Sequence, residues 1–123
     1  MIYLATIDRV GPFVADGLAE NMLITFLHSG PPDCLAYAVS LSPLQADSHA
    51  TIAPGDKLQI GTHDYLIHAV GEGAQQALFE LGHLTLIFDG AATPRHRGAL
   101  HLIGPTPSPE ALTGDFAISE AAL

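Results

Sequence analysis

Apolar and polar residues alternate with a period of two along most of this chain, which is the mark of strands with one face turned to a core. Lys57 to Ile60 and Tyr65 to Val70 alternate on either side of Gly61-Thr62-His63-Asp64, whose turn-compatible chemistry predicts an antiparallel hairpin. The period then changes. Ala74, Leu78 and Leu81 fall at helical spacing and Gly82 follows where a left-handed cap needs a residue without Cβ, so a helix of two turns is predicted over 74–81. Alternation resumes at Leu84, Leu86 and Phe88 and stops at Asp89-Gly90.

Extended to the whole chain, the pattern predicts strands at Ile2 to Val10, Met22 to Leu27, Ala36 to Leu41, Lys57 to Ile60, Tyr65 to Val70, His83 to Phe88, Gly98 to Ile103 and Asp115 to Ser119. Ser108-Pro109-Glu110 has the character of a helix start and predicts a single turn. Eight short strands with turn signals between them make an all-β barrel or sandwich, and closure into a barrel has the advantage of leaving no edge exposed. The expected core is Leu78, Leu81, Leu84, Leu86, Phe88, Ile24 and Phe26, from the helix stripe and one face of each strand.

Composition narrows the setting. A chain of 123 residues, 48% of them hydrophobic, is one domain (1–123) able to bury a core without metal or disulfide. The single Cys34 allows no internal disulfide and fits a reducing compartment. The start, Met1 to Asp8, has no basic segment ahead of its apolar residues, and no apolar run reaches membrane-spanning length; a cytoplasmic protein, not membrane-embedded, is expected. Thirteen acids against four bases, a formal charge of −9, argue against a nucleic-acid ligand and suit a basic protein partner as well as simple solubility.

Four blocks carry a resemblance: Met22-Leu-Ile-Thr-Phe26, Pro54-Gly-Asp56, Tyr65-Leu-Ile-His-Ala-Val-Gly71, and Leu81-Gly-His-Leu-Thr-Leu-Ile-Phe-Asp-Gly90. In this order they resemble the glucitol/sorbitol-specific IIA component of the bacterial phosphotransferase system, from Thr6 to Pro105 and so over nearly the whole chain. The resemblance implies a closed or nearly closed barrel of mostly antiparallel strands. It also implies a phosphocarrier function in sugar transport: a histidine takes a phosphoryl group from the histidine-containing phosphocarrier protein and passes it to a sugar permease component. No cofactor is implied. In such proteins the acceptor histidine follows the strand between the Met22 and Pro54 blocks. The matching stretch here, Ala36-Tyr-Ala-Val-Ser-Leu-Ser-Pro-Leu44, has no histidine.

The remaining candidates are weighed individually. His49, in the polar loop Leu44 to Thr51, is the candidate substitute acceptor, because a solvated imidazole is largely neutral near pH 7 and keeps the lone pair that nucleophilic attack needs. Asp47 is placed to orient its ring, and His28 lies in the preceding loop. His83, in the Gly-His block, is a candidate supporting histidine, although a strand-end ring bonded to a backbone carbonyl is the commoner arrangement. Arg95-His96-Arg97 holds half of the basic residues and is a candidate contact for phosphate or partner, set against a plain solvated turn. His68 and His101 are expected to face solvent or a barrel rim, and His63, His68, His83 and His101 share no metal-binding spacing, so no metal is expected. Ser40 and Ser42 sit near the expected acceptor position, but a serine without a base is a poor nucleophile and its ester lacks the transfer potential of a phosphoramidate. The residues thus also allow a phosphorylation-incompetent member acting as a protein-binding or regulatory module, and a small-molecule or metal-binding barrel.

Overall fold

A computed structural model describes residues 1–121. Its strands are β1 (Tyr3–Val10), β2 (Met22–Leu27), β3 (Ala38–Ala46), β4 (Lys57–Ile60), β5 (His63–Val70), β6 (Leu84–Ile87), β7 (Ala99–Ile103) and β8 (Asp115–Ser119). The helices are α1 (Val14–Ala19), α2 (Pro32–Leu35) and α3 (Ala74–Leu81), with a 3-10 turn at Pro109–Ala111. The strands close into a barrel in the order β1-β3-β2-β6-β7-β5-β4-β8. Two pairings, β2 with β3 and β6 with β7, are parallel and the rest antiparallel.

Every predicted strand is present, as are the helix at 74–81 and the turn after Ser108. The helices α1 and α2 were not predicted, and several details differ. The β4–β5 hairpin turns on Gly61 and Thr62 alone, because Ile60 already pairs with His63, and Gly61 takes the left-handed φ of 57° that so tight a turn needs. β3 runs on to Ala46 through Pro43, which lies opposite Ala5 beside a register shift that leaves Leu44 without a partner on β1. Within β2 it is Leu23 and Thr25 that face the core, while Ile24 and Phe26 are only half-buried.

The inward face of β2 follows from Thr25. Its hydroxyl is fully buried, donates to the Gly82 carbonyl at 2.8 Å and accepts from the Leu84 N–H at 3.1 Å. One threonine hydroxyl thus bonds a backbone group of the α3 cap and one of β6 at their junction. Gly82 has φ 62° and comes so close to Leu27 that a Cβ would meet its backbone nitrogen at 2.9 Å. On α3, Ala74 and Leu78 are buried and Phe79 packs partly into the core beside Tyr3, ring centroids 6.2 Å apart. The buried stripe is thereby rotated away from Leu81, which is 46% exposed. Leu84, Leu86 and Phe88 are buried as expected, together with Tyr3, Leu41, Leu58, Leu100 and Phe116.

Candidate functional site

The stretch in which the resemblance places the acceptor is β3, and period-two alternation decides what each of its residues can do. Val39 and Leu41 point into the barrel, Leu41 with no exposed surface. Ser40 and Ser42 lie on the outer face. β3 runs between β1 and β2, with Arg9 opposite Ser40 on one side and Phe26 opposite Ser40 on the other. In β1 the register shifts between Ile7 and Arg9, so Asp8 is an extra residue without a partner on β3. Such a bulge re-aims its side chain, and the Asp8 carboxylate accepts a hydrogen bond from the Ser42 hydroxyl.

Over this outer face lies a cleft of about 540 Å³, lined by Asp8, Arg9, Gly11, His28, Leu35 and Ser40 among others. Its floor is Ser40, 4% exposed, whose hydroxyl reaches the Arg9 carbonyl at 3.4 Å. Its wall is made by α2, which β1 can meet only because residue 11 is glycine: a Cβ there would stand 2.3 Å from the Leu35 carbonyl oxygen. Backbone bonds from Gly11 to Ala38 and from Phe13 to Ala36 lock that approach. His28 enters because β2 continues alongside β3 for one more residue, its backbone N–H donating to the Leu41 carbonyl at 3.0 Å. Phe13 and Tyr37, half exposed, stack with ring centroids 5.0 Å apart on the segments that flank the cleft.

The other candidates fall elsewhere. His49 is exposed on the loop after β3, and the Asp47 carboxylate accepts its backbone N–H at 3.0 Å, leaving the ring unoriented by that residue. His83 is half-buried before β6, its Nδ1 3.3 Å from the Thr25 carbonyl and its ring 5.4 Å from that of Phe26. That is the carbonyl-bonded strand-end arrangement, on the strand flanking β2 opposite to β3.

Arg95, His96 and Arg97 are exposed on the loop between β6 and β7. Arg97 faces Glu72 at 3.8 Å with both side chains about four-fifths exposed, a pair worth little. Beneath this loop His101 is fully buried, contrary to its expected exposure, because the loop folds over the outer face of β7. Its Nδ1 is 3.0 Å from Asp89 Oδ1, its Nε2 3.4 Å from the Arg95 N–H, and its ring lies 6.2 Å from that of His96. Burial pushes the Asp89 carboxyl up, but the Ala91 N–H and the hydrogen bond and charge of His101 outweigh it and hold the group below the ordinary carboxylate range. His68, half-buried at a second bulge, bonds the Gly90 carbonyl at 2.9 Å, and His63 is exposed beside the hairpin turn. The contacts of His101 hold the loop from below.

Sequence reasoning did not single out Asp8 or Arg9 and named His28 only as a loop residue; the structure places all three around the cleft over Ser40. No local signal marks them, since they meet only through the parallel β2–β3 pair and the bulge in β1.

Compared with known proteins, residues 2–116 match the model of the family described as the glucitol/sorbitol-specific IIA component of the phosphotransferase system. The glucitol/sorbitol-specific EIIA components of Escherichia coli K12 and Shigella flexneri are each 37% identical over 107 residues, 87% of this chain and 85% of theirs. The crystal structure of a phosphotransferase system IIA component from Enterococcus faecalis V583 superimposes with a TM-score of 0.76 at 30% identity, covering 97% of this chain and 99% of that one.

Proposed function

Since the chain belongs to the glucitol/sorbitol-specific IIA family of the phosphotransferase system, we propose that it relays a phosphoryl group from the histidine-containing phosphocarrier protein towards a sugar permease component. The observation that carries this reading is the match of family pattern and barrel over nearly the full chain. The protein's part in such a relay is to present one nucleophilic imidazole to the charged partner and then offer the phosphoramidate onward. No helix among the described residues is long and apolar enough to cross a membrane, so delivery to a permease would come through docking.

A second reading has its own support. Leu41 is sealed in the core and Ala36 to Leu44 contains no imidazole, which suits a member that binds its partners without carrying phosphate. Incubating the intact protein with phosphoenolpyruvate, the general enzyme that charges the phosphocarrier, and the phosphocarrier itself separates the two. Acid-labile labelling of a histidine, found by mass spectrometry, is the expected result. A folded protein that stays unlabelled while an E. coli relative is labelled in parallel would replace the relay by the binding module.

A further inference from the structure

Building on the relay reading, we propose that His28 is the phosphoryl acceptor of this chain, with Arg9 holding the transferred group and the Phe13–Tyr37 pair seating the donor protein. The first argument is adjacency. β2 is the parallel neighbour of β3, Leu27 lies opposite Leu41, and the His28 N–H is bonded to the Leu41 carbonyl. His28 therefore stands one strand spacing, about 4.8 Å, from the stretch in which the acceptor is missing. An imidazole lost from one strand is available from the next.

The second argument is charge. Among the described residues two of the four basic side chains, Arg9 and Arg95, make no ion pair, and Arg9 is the one Lys or Arg before residue 57. In a chain of formal charge −9 Arg9 lines the same cleft as His28. It is the fork-shaped cation that suits a phosphoryl group's oxygens. The neighbouring carboxylate of Asp8 is engaged by the Ser42 hydroxyl, which lessens its repulsion of an incoming dianion.

The third is the seat. Val10, Phe13 and Tyr37 are 40%, 46% and 55% exposed around the cleft, an apolar rim of the kind that protein partners bury. His49 has polar, exposed neighbours in Asp47, Ser48 and Thr51, and it lies beyond the far end of β3 from the cleft, five strand residues or about 17 Å from Leu41 to Ala46 before its loop begins.

The step balances without a further reactant. The neutral His28 ring, one nitrogen protonated and the other carrying a lone pair, attacks the phosphorus of the donor's phosphohistidine. A new N–P bond forms on His28 as the donor's N–P bond breaks. The donor's other ring nitrogen carries a proton, so the electron pair of the broken bond stays on the donor nitrogen and that ring leaves as neutral imidazole, while His28 keeps its own N–H as the protonated phosphohistidine.

The test labels the full-length protein from phosphoenolpyruvate through the general enzyme and phosphocarrier, then maps the phosphohistidine by mass spectrometry at alkaline pH. The expected phosphopeptide contains residue 28. His28→Ala and His28→Gln should both lose the label while His49→Ala and His83→Ala keep it, and Arg9→Ala should slow labelling about ten- to a hundredfold, as loss of one charge-assisted contact does. Circular dichroism checks that each variant is folded. Label that persists on His49 or His83 in a folded His28→Gln protein would overturn this assignment and leave the relay intact. Absence of label from the parent protein, with the E. coli relative labelled, would overturn both.

Discussion

Thr25 and Leu86 show how differently two buried residues hold the same barrel. Leu86 contributes surface: it has no exposed area and faces Leu23 across the β2–β6 pair, so Leu86→Ala should cost about 2 to 5 kcal/mol in urea unfolding, transfer and cavity together. Thr25 contributes two hydrogen bonds at one oxygen. Thr25→Val keeps the shape and strands both the Gly82 carbonyl and the Leu84 N–H, each worth about 1 to 3 kcal/mol when buried unsatisfied, whereas Thr25→Ser keeps the bonds and should cost less. A valine variant as stable as the parent would show that those groups find other partners. Asp89 predicts a pH effect. Because its folded pKa lies below the unfolded one, its stabilisation is complete above the ordinary carboxylate range, about pH 4, and is lost as pH falls through the lowered value. The gap in urea midpoint between the parent and Asp89→Asn should shrink as pH falls through that acid window.

At the level of elements, alternation locates strands better than it assigns their faces. In β6 the leucines alternate with Thr85 and Ile87 and take the inward face, so Leu84 and Leu86 were legible from the pattern. β2 reads Met-Leu-Ile-Thr-Phe-Leu, apolar at nearly every position, and its face is decided by a partner almost sixty residues away: Thr25 turns inward to meet Gly82 and Leu84. A one-residue slip reverses every side chain, which is why Ile24 and Phe26 were misplaced. β3 was cut short for a related reason, since Pro43 reads as a breaker until the register shift with β1 shows where it fits. The family and the helix cap were legible; the cleft was not, because its residues come from β1, β3 and the end of β2 and meet only in three dimensions. Gly82 tests the local part of this account. Gly82→Ala combines an unfavourable φ of 62° with a Cβ 2.9 Å from the Leu27 nitrogen, so where glycine-to-alanine usually stabilises a helix interior it should here destabilise by about 1 to 3 kcal/mol, measured by thermal melting.

For the whole molecule, β8 is the strand that makes the barrel a barrel, pairing with β1 on one side and β4 on the other. Removing it would expose two edges at once and take Phe116 and Ile118 out of the core. Truncation after Gly114 should therefore yield an aggregating chain rather than a slightly weakened monomer, and a monomeric, cooperatively melting product in ultracentrifugation and calorimetry would show that the other seven strands suffice.

The charge of the molecule acts at the same scale but on encounter rather than on folding. With thirteen acids and four bases, its field attracts a basic partner over distances comparable to the Debye length, about 8 Å at physiological salt. If that field steers the phosphocarrier, the second-order rate of labelling should fall steeply as salt is raised from low to physiological strength, while transfer within the docked complex changes little. Stacked Phe13 and Tyr37 predict the complementary behaviour. Replacing both by Ala removes apolar contact and no charge, so affinity should drop while the salt dependence of the rate keeps its slope. A labelling rate indifferent to salt would assign the acidic surface to solubility and leave recognition to the apolar rim.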